Sequence, residues 1–283
     1  MNKQQSFNND KNTLYIVSTP IGNLKDITFR ALETLNHVDY ILAEDSRVTD
    51  KLLKHYQIQK PVISYHEHNK FQKEEYIINL LEKGYNLALV SDAGTPLISD
   101  PGYEIVKKVM EKKYNVVAVP GASAILASLI TSNIAPMPFV FIGFIPRKES
   151  EQKALFEKYK HYSETLIFYE SPKRIVATLN QMLPIFGNRQ ISLAREVTKK
   201  FETIINGQIE DILKEEISEL GEYVLIIEGA KNVSTYEHIT IHEHVLIYIK
   251  QGHSEKEALK LVAKDRNLKK SEIYKVYKIN DET

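Results

Sequence analysis

The chain has 283 residues, enough for two domains each with its own core, and its 37 basic side chains balance 37 acidic ones, so any nucleic-acid surface must be local. It has no cysteine, which excludes disulfides, thiolate metal sites and a cysteine nucleophile. No apolar run approaches the ~18 residues of a membrane helix, and the polar opening MNKQQSFNNDKN reads as a mobile tail over residues 1–12, so a cytoplasmic protein without membrane contact is expected.

Residues 13–18 (TLYIVS) are a β-branched and aromatic strand that stops in the small-residue loop Thr19-Pro20-Ile21-Gly22-Asn23. Asp26 or Thr28 would cap the helix carrying Phe29, Leu32 and Leu35, and residues 40–43 form a strand ending in Glu44-Asp45-Ser46-Arg47. Dinucleotide enzymes grip a ribose with an acid at such a place. Here the first loop is TPIGN rather than GxGxxG, which removes the main support for a nicotinamide site. A helix over 48–56 and a strand over 62–65 lead to His66-Glu67-His68-Asn69. No further ligands stand at metal spacing, so contact with substrate is expected of this loop and no metal.

A helix over 71–82 precedes the most informative stretch, LALVSDAGTPLISDPG at 87–102. Its apolar run breaks into some fifteen residues of small and acidic side chains, more than a connection of about two to six residues needs. Small side chains let a ligand lie against backbone beyond the carboxyl end of a strand. A helix over 103–113, a strand over 116–119 and PGASA at 120–124, opening a small-residue helix to Ser132, complete five βα repeats, the rhythm of a parallel two-sided sheet.

Ile134-Ala135-Pro136-Met137-Pro138 reads as a hinge. Beyond it come strands at 139–144, 165–169, 190–194 and 223–228, with helices to Tyr162 and over 175–183. Short connections point to a mixed sheet. Residues 241–250, 254–264 and 271–278 read as helices, Ser254 and Glu257 forming a capping box, in an arrangement like helix-turn-helix that fits RNA binding, packing or dimerisation equally. The expected division is an α/β domain over 13–134, a second over 138–231 and a helical appendage over 238–283.

Acids and a histidine at strand ends, Glu44, Asp45, His66, Glu170 and Glu196, are candidate proton acceptors. The strand ends also carry Arg47, Arg147, Lys148, Lys173, Arg174, Arg195, Lys199 and Lys200, which suit an anionic substrate such as RNA phosphate. Tyr65, Phe71, Phe144 and Tyr169 are candidate stacking partners for a base.

TPIGNL (19–24), AEDSR (43–47), YHEHN (65–69), LVSDAGTPLISDPG (89–102), PGASA (120–124), GFIPRK (143–148), FYESPKR (168–174) and AREVTKKFE (194–202) together resemble the blocks of one family. It is the bacterial small-subunit ribosomal RNA cytidine 2'-O-methyltransferases, within the tetrapyrrole methylase-like superfamily. The resemblance implies two α/β domains with S-adenosylmethionine in the cleft between them, transfer of its methyl group to a ribose 2'-hydroxyl near the decoding centre, small-subunit RNA as partner and a homodimer. Carried over block by block, cofactor contacts fall on Pro20, Gly22, Asp92, Ala93, Gly94, Thr95, Pro96, Ile98, Ser123, Ala124, Ala194 and Gly229. Three positions depart from the family pattern: Ser46 where Thr is usual, Asn133 where Gly is usual and Lys173 where His is usual. Asn is the best substitute for Gly in a left-handed turn, and Lys keeps a phosphate partner. A tetrapyrrole methyltransferase and a non-catalytic RNA-binding assembly protein are the alternatives.

Overall fold

The computed structural model describes residues 4–6, 11–66, 69–231, 239–266 and 268–279. Ten strands and eleven α-helices occur among them. The first sheet holds β1 (Thr13–Val17), β2 (Tyr40–Ala43), β3 (Val62–Ser64), β4 (Leu87–Val90) and β5 (Asn115–Val119) in the order β3-β2-β4-β1-β5, every pair parallel. Side chains alternate between two cores, as a sheet covered on both faces requires. Leu14, Ile16, Leu42, Leu87 and Leu89 meet α3 (Lys70–Glu82) and α4 (Tyr103–Glu111). Val17, Ile41, Ala43, Ala88 and Val90 meet α1 (Phe29–His37) and α2 (Ser46–His55). Thr28, not Asp26, caps α1, its hydroxyl accepting from the Ala31 N–H at 3.1 Å.

The chain crosses to a second sheet through α5 (Ala124–Thr131), whose C-terminal turn closes with Asn133 at φ 54°, the left-handed position that Gly usually fills. That sheet holds β6 (Phe139–Phe144), β7 (Thr165–Glu170), β8 (Gln190–Arg195), β9 (Thr203–Gln208) and β10 (Tyr223–Ile227), ordered β6-β7-β10-β8-β9, with β6 and β7 parallel and the other pairs antiparallel. Leu129 of α5 packs with Ile167, Ala194, Val224 and Ile226 on one face. On the other, Phe156 of α6 (Glu149–Tyr159) lies 6.2 Å from Phe168 of β7 and 5.6 Å from Phe186 of α7 (Ile175–Phe186). The sequence reading stops α7 at Leu183, before Pro184. The helix runs on to Phe186 because that ring is buried, and packing outweighs the ~3 kcal/mol a helical proline costs. Neither β9 nor the short α8 (Ile209–Ile212) was expected.

Both sheets belong to one compact unit, residues up to 157 with 164–228; residues 158–163 and 229 onward form a second. The second contains α9 (Ile241–Lys250), α10 (Glu255–Asp265) and α11 (Lys270–Ile279) around Val245, Leu259, Val262 and Ile273. Capping boxes start both α9 (Thr240 with Glu243) and α10 (Ser254 with Glu257). His244 is buried there, accepts at Nδ1 from Arg266 Nε at 3.2 Å, and its pKa is lowered by burial and then by the Arg266 charge. Of the expected mobile tail, residues 1–3 and 7–10 lie outside the described residues. Gln4 is held by its side-chain amide, which pairs with the backbone N–H and C=O of Val116 at 3.1 and 2.8 Å.

Candidate active site

β1 and β4 are neighbours, yet α1 leaves towards one face of the sheet and α4 towards the other. Such a switch point opens a crevice beyond the carboxyl ends of the two strands. Their loops are stitched together there: Thr19 N–H donates to Gly94 O at 2.8 Å, Gly94 N–H donates to Thr19 O at 3.2 Å, and the Thr19 hydroxyl donates to Ser91 O at 3.1 Å. Gly94 stands at φ +80°, and a Cβ on it would come within 3.3 Å of Ile21 Cγ2, so the turn takes glycine for conformation and for space.

A cavity of about 520 Å³ opens at these loops, a size that suits a cofactor. Ile21, Glu44 and residues 92–95 and 98–100 form the wall from the first sheet, with Ser123, Ala124 and Ile125 at the start of α5. The opposite wall comes from the second sheet: Phe144, residues 169–172, Ala194, Glu196, Val197, Lys199 and residues 222–224. Leu97, Ser99, Glu196 and Thr198 all have positive φ, between 50° and 74°, so the loops on both walls are held in conformations that L-residues resist.

Six carboxylates and one cation line the cavity. Burial, followed by the charges of Asp100, Asp92 and Asp45, pushes the Glu44 pKa up. Burial also raises Asp100, against a hydrogen bond from Ser91. Asp45 goes the other way: hydrogen bonds from Arg47 hold it at about 2, with the guanidinium 2.6 Å from its carboxylate. Glu170 is fully buried and accepts from Arg174, the Ser171 N–H and the Thr178 hydroxyl. Glu196 takes Lys199 Nζ at 3.0 Å and the Glu222 N–H at 3.1 Å. Among the described residues no hydrogen bond reaches the Glu44 carboxylate.

The cavity brings together Asp92, Ala93, Gly94, Thr95, Ile98, Ser123, Ala124 and Ala194 of the expected cofactor set, and Glu44, Glu170 and Glu196 of the expected acids. Asp45 caps α2 instead, and Asp92 Oδ1 accepts its backbone N–H at 3.1 Å. Pro20 and Pro96 are buried beneath the loops without lining the space. Gly22 lies under the Lys199 side chain, so close that a Cβ there would be 2.3 Å from Lys199 Cγ. Gly229 does not line the cavity. β10 runs against β7, with Tyr223 beside Glu170 and Ile227 beside Leu166, so the start of β10 faces the cavity and Gly229 follows its far end. His66 does not line the cavity; Glu67 and His68, the next two residues of its polar loop, lie outside the described residues, as does the Phe71 side chain. Tyr65 is fully buried in the first core.

Of the basic residues, Arg47, Arg147, Lys148, Lys173 and Lys200 are exposed. Three turn inward. Arg174 donates to Ile145 O and Pro146 O at 2.9 Å each, Arg195 Nε donates to Leu220 O at 2.7 Å, and Lys199 Nζ pairs with Glu196 and, at 2.8 Å, Glu222. Glu222, Tyr223 and Val224 are absent from the expected set, because they stand at the start of a strand rather than at its end. Among the described residues no three His, Asp or Glu side chains converge as a metal site, and no helix is long and apolar enough to cross a membrane.

Residues 13–213 match the family model of tetrapyrrole (corrin/porphyrin) methylases. A Bacillus subtilis protein named ribosomal RNA small subunit methyltransferase I is 47% identical over 99% of both chains. Its namesake from Streptococcus pyogenes serotype M3 is 48% identical over 98% of this chain and 99% of its own, and that from Haemophilus influenzae is 48% identical over 76% and 78%. The crystal structure of a diphthine synthase superposes with a TM-score of 0.56 at 12% identity, covering 76% of this chain and 90% of that one, a likeness of fold. The chain therefore belongs to the tetrapyrrole methylase family and, within it, to the ribosomal RNA small subunit methyltransferases I.

Proposed function

We propose that this methyltransferase uses S-adenosylmethionine to methylate a cytidine ribose 2'-hydroxyl of small-subunit ribosomal RNA near the decoding centre. The observation that carries the chemistry is the cavity itself, where a wall of small residues meets an excess of carboxylates. A cationic cofactor fits both features: Gly94 and Ala93 let it lie against backbone, and Asp92 and Asp100 accept from an ammonium or ribose hydroxyl. When bound, it supplies an electrophilic methyl group for in-line displacement.

The chain's own residues orient the hydroxyl and take its proton. Glu44 is that acceptor. Asp45 is pinned by Arg47, Glu170 by Arg174 and Thr178, and Glu196 by Lys199, whereas the Glu44 carboxylate lines the cavity with no competing donor and a raised affinity for protons. Exposed Arg47, Arg147, Lys148, Lys173 and Lys200 hold phosphates. A homodimer is supported by Leu126 and Ile130 on α5, 53% and 78% exposed one helical turn apart. A cytoplasmic location follows from a ribosomal substrate.

The test is methyl transfer from labelled S-adenosylmethionine to unmodified small subunits, with naked ribosomal RNA alongside and nucleoside analysis of the product. 2'-O-Methylcytidine is the expected product. Cofactor binding without RNA labelling would move a tetrapyrrole substrate ahead, and folded protein that binds no cofactor would leave the non-catalytic assembly role.

A further inference from the structure

β6 contains an irregularity that its own packing does not call for. Phe139 and Phe141 face the core shared with Ile167 and Tyr169, and strict alternation would send Phe144 to the opposite face. The register against β7 slips instead: Phe141 lies beside Ile167, Gly143 beside Phe168 and Phe144 beside Tyr169. One extra residue, Ile142, is absorbed, and Gly143 at φ +93° makes the bend. Phe144 thereby joins the face of Tyr169. Their ring centroids lie 5.1 Å apart, and Phe141 also lies 5.0 Å from Tyr169.

This re-aiming leaves Phe144 65% exposed on the wall of the cavity, an apolar ring turned to water where burial would be expected. A bulge next to an active site that redirects one side chain is a device for presenting it. We propose that Phe144, backed by Tyr169, is the platform on which the target pyrimidine base of the RNA stacks when its ribose enters the cavity. The inference rests on the RNA reading given above. Bases splayed from single-stranded RNA are held on aromatic faces in this way. The surroundings suit it: Arg147 and Lys173, both exposed, stand three residues beyond the ends of β6 and β7 and would meet the flanking phosphates. The Tyr169 hydroxyl is pushed up to about 12 by burial and by Asp100 and Glu222, so the ring that backs Phe144 stays neutral.

Phe144→Ala, Phe144→Leu and Phe144→Trp are compared with the wild-type chain for methyl transfer to unmodified small subunits and for S-adenosylmethionine affinity. A stacked base predicts a roughly tenfold or greater rise in KM for the subunit in Phe144→Ala and Phe144→Leu, near-normal kinetics in Phe144→Trp, and unchanged cofactor affinity in all three. Unchanged kinetics in Phe144→Ala, or Phe144→Leu performing as well as Phe144→Trp, overturns the platform. Loss of cofactor affinity in parallel with activity also overturns it, since the ring would then serve the adenine of the cofactor. A wild-type chain that labels no RNA refutes the substrate reading itself, a result separate from any outcome among the variants.

Discussion

The two walls of the cavity are built on different principles. On the first sheet every strand is parallel, so the loops after β1, β2 and β4 and the turn into α5 all emerge on one edge and bring small residues and acids together. On the second sheet β10 runs against its neighbours, so the wall combines the ends of β7 and β8 with the start of β10. It carries aromatic rings and closed ion pairs: Phe144 with Tyr169, Glu170 with Arg174, Glu196 with Lys199. Among the described residues the carboxylates of the first wall, Glu44, Asp92 and Asp100, form no ion pair, which under the proposed function leaves them for ligand and proton. The second is largely satisfied internally and shapes the space.

That contrast predicts different failures on the two sides. Gly94→Arg fills the cofactor side and forces a side chain onto φ +80°, so kcat/KM should fall about 10³-fold with loss of cofactor binding, measured by calorimetry, in protein that remains folded. Across the cavity, Glu170→Ala leaves the Arg174 guanidinium without its buried partner. Stability should drop by about 3 kcal/mol, seen as a Tm lower by roughly 8 °C, and the damage to activity should track unfolding.

Glu44→Gln should lower kcat about 10²-fold, and pH separates it from a structural change. In the wild type, kcat/KM should decline on the acid side through the raised Glu44 pKa, above the ordinary glutamate range, and the variant should lose that limb. Stability moves oppositely. A carboxyl whose pKa is raised by folding favours the folded state fully only below its unfolded value and loses that contribution as pH rises through the folded value. Glu44→Gln should therefore raise Tm near neutrality, and the gain should vanish once pH falls below the ordinary glutamate range. Activity surviving at the wild-type level would move the proton acceptor to Asp100.

The smallest effect concerns Lys199 against Lys173. Lys199 is folded onto Glu196 and Glu222, whereas Lys173 is exposed. Lys173→Met should reduce the slope of log affinity for RNA against log salt by about 1, and Lys199→Met should leave it unchanged. Equal changes would return Lys199 to the RNA surface.

The same contrast explains what could be read from residues alone. Parallel strands are short, apolar and followed by their loops, so TPIGN, AEDSR and SDAGTP could be named as site segments in chain order. β9 escaped because TIINGQ contains a turn-like Asn-Gly and lies on an edge, half exposed, with little apolar signal. Glu222 and Tyr223 escaped because a rule about strand ends misses a strand that runs the other way. Pairing was the other blind spot: nothing in ESPKR or REVTKK tells whether an arginine or lysine is left to water or engaged by the chain, and Arg174 and Arg195 bond backbone carbonyls while Lys199 pairs with carboxylates.

The positive φ angles of Leu97 and Ser99 have a dynamic consequence. Each holds its residue in a region that costs of order 1–2 kcal/mol, so the loop keeps its shape only while the stitch between Thr19 and Gly94 and the packing beneath it hold. A segment under such tension opens before the strands it follows. Its amides should exchange with solvent well ahead of those in β1 and β4, and a ligand bridging the loop would slow that exchange without altering a single contact in the core.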